Sequence, residues 1–365
     1  MKRLAAVLAS VLVVATVQGR GQSATARSVG DHPAWRTGTA TASVSSTMVP
    51  SGAVLARIPM RRSIGTIDAG DDAVWVTNPN EGTVTRMDPV TNRVAATIRI
   101  AKAYPVDVVT GNGAVWVVSD QQVLWMFKIN PRTNTVTARI PLPGSPDSVR
   151  PLAVGAGSVW VVSQPQQTVV RFDLETNRRT ALIDLPGAAT ALGVTDQTAW
   201  VALHHEDQMA RIDSRTNKVV AIVDGLPNAA VVKVAYGIVW VQGYGNDKAI
   251  TLSRIDPRTN RLLGTVDVGA SVCRYDDHVC PVTLAAGAGA MRALTGESQR
   301  LVRIDSHTGR VVASLPLRYK RPINGEDLTA CCFVQPSVAF GAGSLWVEGA
   351  AHVIYRVDPQ QIRGS

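Results

Sequence analysis

Charge is scarce in this chain, and so are aromatic rings, cysteines and long apolar runs. Asp, Glu, Lys and Arg make up 18% of the 365 residues, against 45% hydrophobic residues. That balance suits a sheet-rich globular body. Aromatic residues amount to 5%, and none interleave with a basic stripe, so nothing supports single-stranded nucleic-acid binding in particular. Formal charge is +9, falling to +7 once Lys2 and Arg3 are removed (37 − 2 − 28). The remaining bases are scattered, many of them in turns such as Pro131-Arg132-Thr133-Asn134. A dispersed basic surface is the plain reading, and attraction to an anionic envelope polymer or to nucleic acid is the sharper one.

The apolar stretch Leu4 to Val17 is too short to span a bilayer comfortably. With Lys2 and Arg3 ahead of it, residues 1–19 read as a secretory signal, cleaved at Val17-Gln18-Gly19 or at Ala24-Thr25-Ala26. No cysteine follows the apolar core, which argues against a lipoprotein anchor and leaves an uncleaved anchor as the alternative. Either way the body is expected outside the cytoplasm, secreted or in the cell envelope or periplasm, with no membrane span once the signal is cleaved. Residues 20–50 are rich in Ser, Thr, Ala and Gly. They cannot bury enough surface to offset ordering entropy, so they read as a flexible linker.

Residues 51–365 are organised by a repeat. A small-residue turn leads to an aliphatic-Trp-Val strand, then a basic-aliphatic-Asp strand, a Thr-Asn turn and another apolar strand. The tryptophans are Trp75, Trp116, Trp160, Trp200, Trp240 and Trp346, and the sixth copy reads Ala290-Met291. The third elements end at Asp88, Asn130, Asp173, Asp213, Asp256, Asp305 and Asp358. The spacing of roughly 40 to 55 residues is that of a four-stranded propeller blade. The expected fold is all-β, a monomeric seven-bladed β-propeller of four-stranded antiparallel blades. The last repeat stops after its third strand, and Gly52 to Ile58 resembles a fourth strand. An N-terminal strand is therefore expected to complete the last blade and close the ring.

Recurrence separates scaffold from site. Asn92, Asn134, Asn177, Asn217 and Asn260 share one turn position with Gly309. Asn and Gly tolerate a left-handed backbone best, so these residues are structural. The tryptophans, fixed within a strand buried on both faces, are expected to pack between blades, with Met291 filling the place in blade 6. His204 and His205 fall in a second-to-third-strand hairpin of blade 4 and read as a solvated turn. His307 and His352 read as structural or exposed.

The runs Asn92-Arg-Val-Ala-Ala-Thr-Ile98 and Trp75-Val-Thr-Asn78 resemble the repeats of bacterial YVTN-type (YncE-like) seven-bladed propellers. Ala-Val-Trp-Val with Arg-Ile-Asp is more distantly similar to streptogramin B lyase (virginiamycin B lyase)-like propellers. The lyase resemblance implies a metal-assisted elimination with histidines near inner-strand starts, as Pro-His-Ala/Gly-Ile. The matching positions here are Pro151-Leu152-Ala153-Val154, Pro281-Val282-Thr283-Leu284 and Pro336-Ser337-Val338-Ala339. None carries the histidine, so no catalytic residue is assigned.

Cys273 and Cys280 lie between blades 5 and 6, and Cys331 and Cys332 between blades 6 and 7. An even count in an oxidising compartment favours disulfides. Cross-loop bridges in either order would staple the two connections. The other pairing is Cys273–Cys280 with a vicinal Cys331–Cys332 bridge. With His278 the thiols would suit zinc or copper, but their spacing matches no standard zinc pattern, and no metal or other cofactor is expected.

The same connections carry Arg274, Tyr275, His278, Lys320 and Arg321, and Arg150 stands in an earlier connection on that face. Lys102, Tyr104, Asp107 and Asp147 join this rim. Mixed charge and tyrosine around a central depression suit a polar or anionic small molecule. The expected function is a secreted scaffold that binds a ligand, an envelope polymer or a protein through this face. The alternative is a lyase or hydrolase using one propeller face.

Overall fold

The computed structural model describes residues 52–60, 63–100, 103–119, 124–144, 151–163, 166–244, 250–269, 282–295, 300–317, 337–349 and 352–362. Segments 1–19 and 20–50 lie outside them. Among the described residues no helix is long and apolar enough to cross a membrane.

Seven four-stranded antiparallel sheets follow one another in chain order. Blade 1 is Ile67–Ala69, Val74–Asn78, Thr83–Asp88 and Arg93–Arg99. Blades 2 to 6 repeat this order, with inner strands Pro105–Gly111, Leu152–Gly155, Ala189–Val194, Val231–Ala235 and Thr283–Gly287. Blade 7 is built from Val338–Gly341, Ser344–Gly349 and Val353–Val357, and its outer strand is the N-terminal Val54–Pro59. Val54 pairs with Val357 and Ile58 with Ile354, so the ring closes with the N-terminal strand covering the outer edge of Val353–Val357.

The second strands are buried along their whole length in most blades, as in Ser158–Ser163 and Thr198–Leu203. Each of the six second-strand tryptophans is at most 2% exposed and enters the apolar cluster of the next blade. Trp160 packs with Leu192, Ala199 and Ile212 of blade 4, and Trp346 with Ile67, Val74 and Met87 of blade 1. Opposite each tryptophan the third strand places a cation. Arg171 pairs with Trp160, Arg211 with Trp200 and Lys128 with Trp116. Their charges lie 4.8, 5.5 and 5.0 Å from the ring centres, within cation–π range.

The register corrects one expectation. The residue that takes the tryptophan place in blade 6 is Arg292, not Met291. Arg292 pairs with Arg303 as Trp240 pairs with Arg254. Met291 is one place earlier and receives Trp240 in the blade 5–6 cluster. Side chains alternate between faces along a strand, so this single step moves the residue to the opposite face of the blade.

The turns after the third strands behave as the sequence suggests. Asn92, Asn134, Asn177, Asn217 and Asn260 have φ between 56° and 60°, and Gly309 has 71°. Their leading Asp carboxylates, and the Asn130 amide oxygen in blade 2, accept backbone N–H groups, as Asp213 does from Arg215 and Thr216, both at 2.9 Å. These bonds hold Asp88, Asp173, Asp213, Asp256 and Asp305 below the usual carboxylate range.

The asparagines have a second role. In every blade but the sixth, the third-strand cation reaches into the turn of the next. Arg86 donates to Asn134 Oδ1 at 3.4 Å, Arg211 to Asn260 Oδ1 at 3.0 Å, and Arg171 to Asn217 Oδ1 at 2.9 Å and to the Ser214 carbonyl. Lys128 reaches the Leu174 carbonyl at 2.6 Å and Arg254 the His307 carbonyl at 3.0 Å. Each of these cations is thus stacked on its own blade and hydrogen-bonded to its neighbour, a latch repeated at the seams that carry a tryptophan.

Candidate functional site

Inner strands begin, and second strands end, on the face opposite the latches. Thr66, Asp107, Leu152, Thr190 and Ser337 stand at or next to inner-strand starts there, around the mouth of the central channel. The channel has a volume of about 300 Å³ and is walled by aliphatic side chains of the inner strands, with Phe340, Asp68 and Lys233 among them. Asp68 belongs to blade 1 and Lys233 to blade 5, so the two charges come from well-separated sectors of the ring.

Neighbouring inner strands are clasped by side chains. Asp68 Oδ2 accepts from the Thr110 backbone N–H at 2.5 Å and from its hydroxyl at 2.7 Å. Asp107 Oδ1 accepts from its neighbour Val108 at 2.9 Å, and Oδ2 from the Leu152 N–H of blade 3 at 3.2 Å. The Thr190 hydroxyl donates to the Ala229 carbonyl at 2.9 Å, and the Ser337 hydroxyl accepts from Ile67 N–H at 2.7 Å. Ser337 N–H in turn donates to buried Glu348 at 3.1 Å.

Among the described residues Asp107 is the most perturbed carboxyl group. It keeps part of its accessible surface, but the protein atoms around the carboxyl shut it off from bulk water. That desolvation raises its pKa to about 7 against the pull of two backbone N–H groups, and the Asp68 carboxylate adds to the rise. A carboxyl near neutrality can hold or release a proton at physiological pH. Its two oxygens also join blades 2 and 3, so the same group serves the scaffold. The sequence places Asp107 on the rim, whereas here it sits in an inner strand.

His204 differs from the solvated turn expected of it. Its Nδ1 lies 3.3 Å from the Ala229 carbonyl and its Nε2 3.0 Å from the Tyr244 hydroxyl. The ring is 5.6 Å from that of Tyr244, and burial pushes the Tyr244 phenol up. Both ring nitrogens are thus engaged between blades 4 and 5, while His205 beside it is exposed. Among the described residues no group of three or more His, Cys, Asp and Glu side chains is arranged to hold a metal ion.

The binding residues expected from the sequence, Arg150, Arg274, Tyr275, His278, Lys320 and Arg321, lie outside the described residues. So do Cys273, Cys280, Cys331 and Cys332, and the rim residues Lys102 and Asp147. Tyr104 is half-buried and lines a separate cavity of about 330 Å³ with Glu81 and Arg99. Thr66, Asp68, Lys233 and Tyr244 carry no motif that marks them as site residues in the sequence. Lys233, a lone charge between Val232 and Val234, was the one available signal for a wet channel wall.

No protein-family model and no curated protein matches the sequence. Solved structures do match. A streptogramin B lyase structure is similar over 83% of this chain and 96% of its own, with 15% identity and a TM-score of 0.64. Virginiamycin B lyase from Staphylococcus aureus is similar over 83% of this chain and 98% of its own, with 13% identity and a TM-score of 0.65. At this identity the likeness establishes a shared seven-bladed propeller fold.

Proposed function

We propose that the protein is a secreted binding propeller that takes a polar or anionic small molecule over the channel mouth. One observation carries this reading. The two longest spans between successive strands, 267–282 and 317–337, leave and re-enter the ring on the mouth face, in adjacent sectors. Long connections on a rigid scaffold are where binding residues concentrate. Arg274, Tyr275 and His278 belong to the first span, Lys320 and Arg321 to the second, and Arg150 to the connection entering blade 3. Disulfides among Cys273, Cys280, Cys331 and Cys332 would hold the two spans together. The latched ring beneath them supplies a pre-organised base, which lowers the ordering cost of binding.

The test is intact mass of the protein secreted by its own host, native against denaturing. A small molecule retained only natively, and lost from Arg274→Ala and Arg321→Ala variants, is the expected result. A retained molecule that neither variant releases would remove these residues from the site. A bare chain that also binds no immobilised anionic polymer at low salt would remove the binding reading. Binding to such a polymer that collapses steeply with salt would instead favour envelope or nucleic-acid association through charge.

Asp107 favours a second reading. A lyase related in kind to the named neighbours would need a base near neutrality, and burial brings the Asp107 carboxyl to that condition. Loss of a streptogramin B in the presence of wild type but not of Asp107→Asn would support it. No loss with wild type would end it.

A further inference from the structure

The seam between blades 6 and 7 departs from the other six at two positions together. Where they have Trp or its stacked pair, this one has Arg292 opposite Arg303. Where the next turn usually offers an asparagine, blade 7 has Ile362, in Asp358-Pro359-Gln360-Gln361-Ile362 against Asp88-Pro89-Val90-Thr91-Asn92. Arg303 has therefore lost both the ring beneath it and the side-chain acceptor ahead of it. Arg292 takes over the latch. It donates to the Pro359 carbonyl at 3.3 Å, as Arg356 donates to the equivalent Pro89 carbonyl at 2.5 Å. It also donates to the carbonyls of Gly287 and Ala290.

These bonds do not complete the pair. Arg292 is 1% exposed, and among the described residues the Nε groups of both Arg292 and Arg303 are buried without a hydrogen-bond partner, as are those of Arg86, Arg211 and Arg254 at seams where a tryptophan ring lies beneath them. Among the described residues no carboxylate forms an ion pair with either. Directly opposed cross-strand residues have Cβ atoms about 4.5–5.5 Å apart, so two like charges share one seam, Arg292 fully buried and Arg303 half-buried. Burial, with Arg303 beside it, lowers Arg292 to about 10. Buried charges are ordinarily paired, and unmade hydrogen bonds at such groups are costly.

We propose that this seam is a structural anion site, in which a chloride-sized ion lies between Arg292 and Arg303 and accepts hydrogen bonds from their Nε groups. Packing argues for a monatomic ion over an organic phosphate. Gly287 lies so close to Phe340 that a Cβ there would stand 2.0 Å from the ring, and the Arg292 guanidinium is 6.0 Å from the centre of that ring. The site is distinct from the channel mouth, because the turn at Pro359 is on the opposite face of the ring.

The experiment is thermal melting of the secreted chain in sodium chloride against sodium gluconate at equal ionic strength. Chloride at ten times its dissociation constant should raise the wild-type Tm by about 2 °C. Arg292→Trp, which restores the ring present in the other blades, should melt at the same temperature in both salts. Equal wild-type melting in the two salts overturns the proposal, and so does an undiminished chloride effect in Arg292→Trp. If that variant does not fold, Arg303→Gln takes its place with the same two readings. Bromide-soaked crystals supply the direct check. An anomalous peak between the two guanidinium groups is expected, and its absence at saturating bromide also overturns the site.

Discussion

Arg356 donates to Asn92 Oδ1 at 3.1 Å and to the Pro89 carbonyl, across 264 residues of chain. It thereby latches the last blade to the first by the same bond that joins blades 1 and 2, 3 and 4, and 4 and 5. Asn92 holds φ at 56°, so one side chain provides both a left-handed turn and an acceptor. Asn92→Gly keeps the turn and removes the acceptor. It should cost about 1–2 kcal/mol in urea unfolding. Asn92→Ala should cost about 1 kcal/mol more, from left-handed strain. Equal stability of Asn92→Gly and wild type would show that the latch contributes nothing.

Asp107 should leave a mark on the pH dependence of stability. Its folded pKa, about 7, lies above the ordinary value of 3.8. Between these values the native state binds more protons than the unfolded chain, so stability falls as pH rises from about 4 to about 7 and is level above. The full span corresponds to roughly 2–4 kcal/mol, allowing for the part of Asp107 that keeps some solvent contact. Asp107→Asn should flatten the melting temperature over that window. The turn aspartates have lowered pKa values, so their contribution is present above the ordinary value and is lost only below about pH 4.

His204 and Tyr244 should be coupled. His204→Ala, Tyr244→Phe and the double variant form a cycle whose interaction energy should be about 1 kcal/mol. An additive double variant would mean that the 3.0 Å contact between them carries no net energy.

Deleting residues 52–59 removes the outer strand of blade 7 and exposes the edge of Val353–Val357. The melting temperature should drop by about 10 °C or more, with a tendency to aggregate through the new edge. An unchanged melting temperature would refute closure by that strand.

The blades were legible because their period is written in buried strands and in turns that demand particular residues. Asn92 and Gly309 share a backbone conformation that few other residues adopt cheaply, and closure could be read from a strand missing at one end and spare at the other. Arg292 escaped because Ala290-Met291 looks more like a buried strand centre than Arg292 does. Only the pairing of Arg292 with Arg303 fixes the register. The basic residues of the third strands were read as part of a dispersed surface. Their partners are a ring on the adjacent strand and a turn some 46 residues further on, as for Arg171 and Asn217, and no local pattern announces such a pair. Asp107 was placed on the rim because it follows the break between two repeats, and nothing in the residues around it signals the Leu152 N–H that it accepts.

Closure by Val54–Pro59 also sets a schedule. Val54 and Val357 are 303 positions apart (357 − 54), and bringing ends so distant together costs about 5 kcal/mol of chain entropy. Six blades can assemble from local hairpins as the chain emerges. The strand made first must wait for one of the strands made last, holding an exposed apolar edge throughout. Folding speed in this protein should therefore be governed by its final encounter, with any delay spent as an open, adhesive arc.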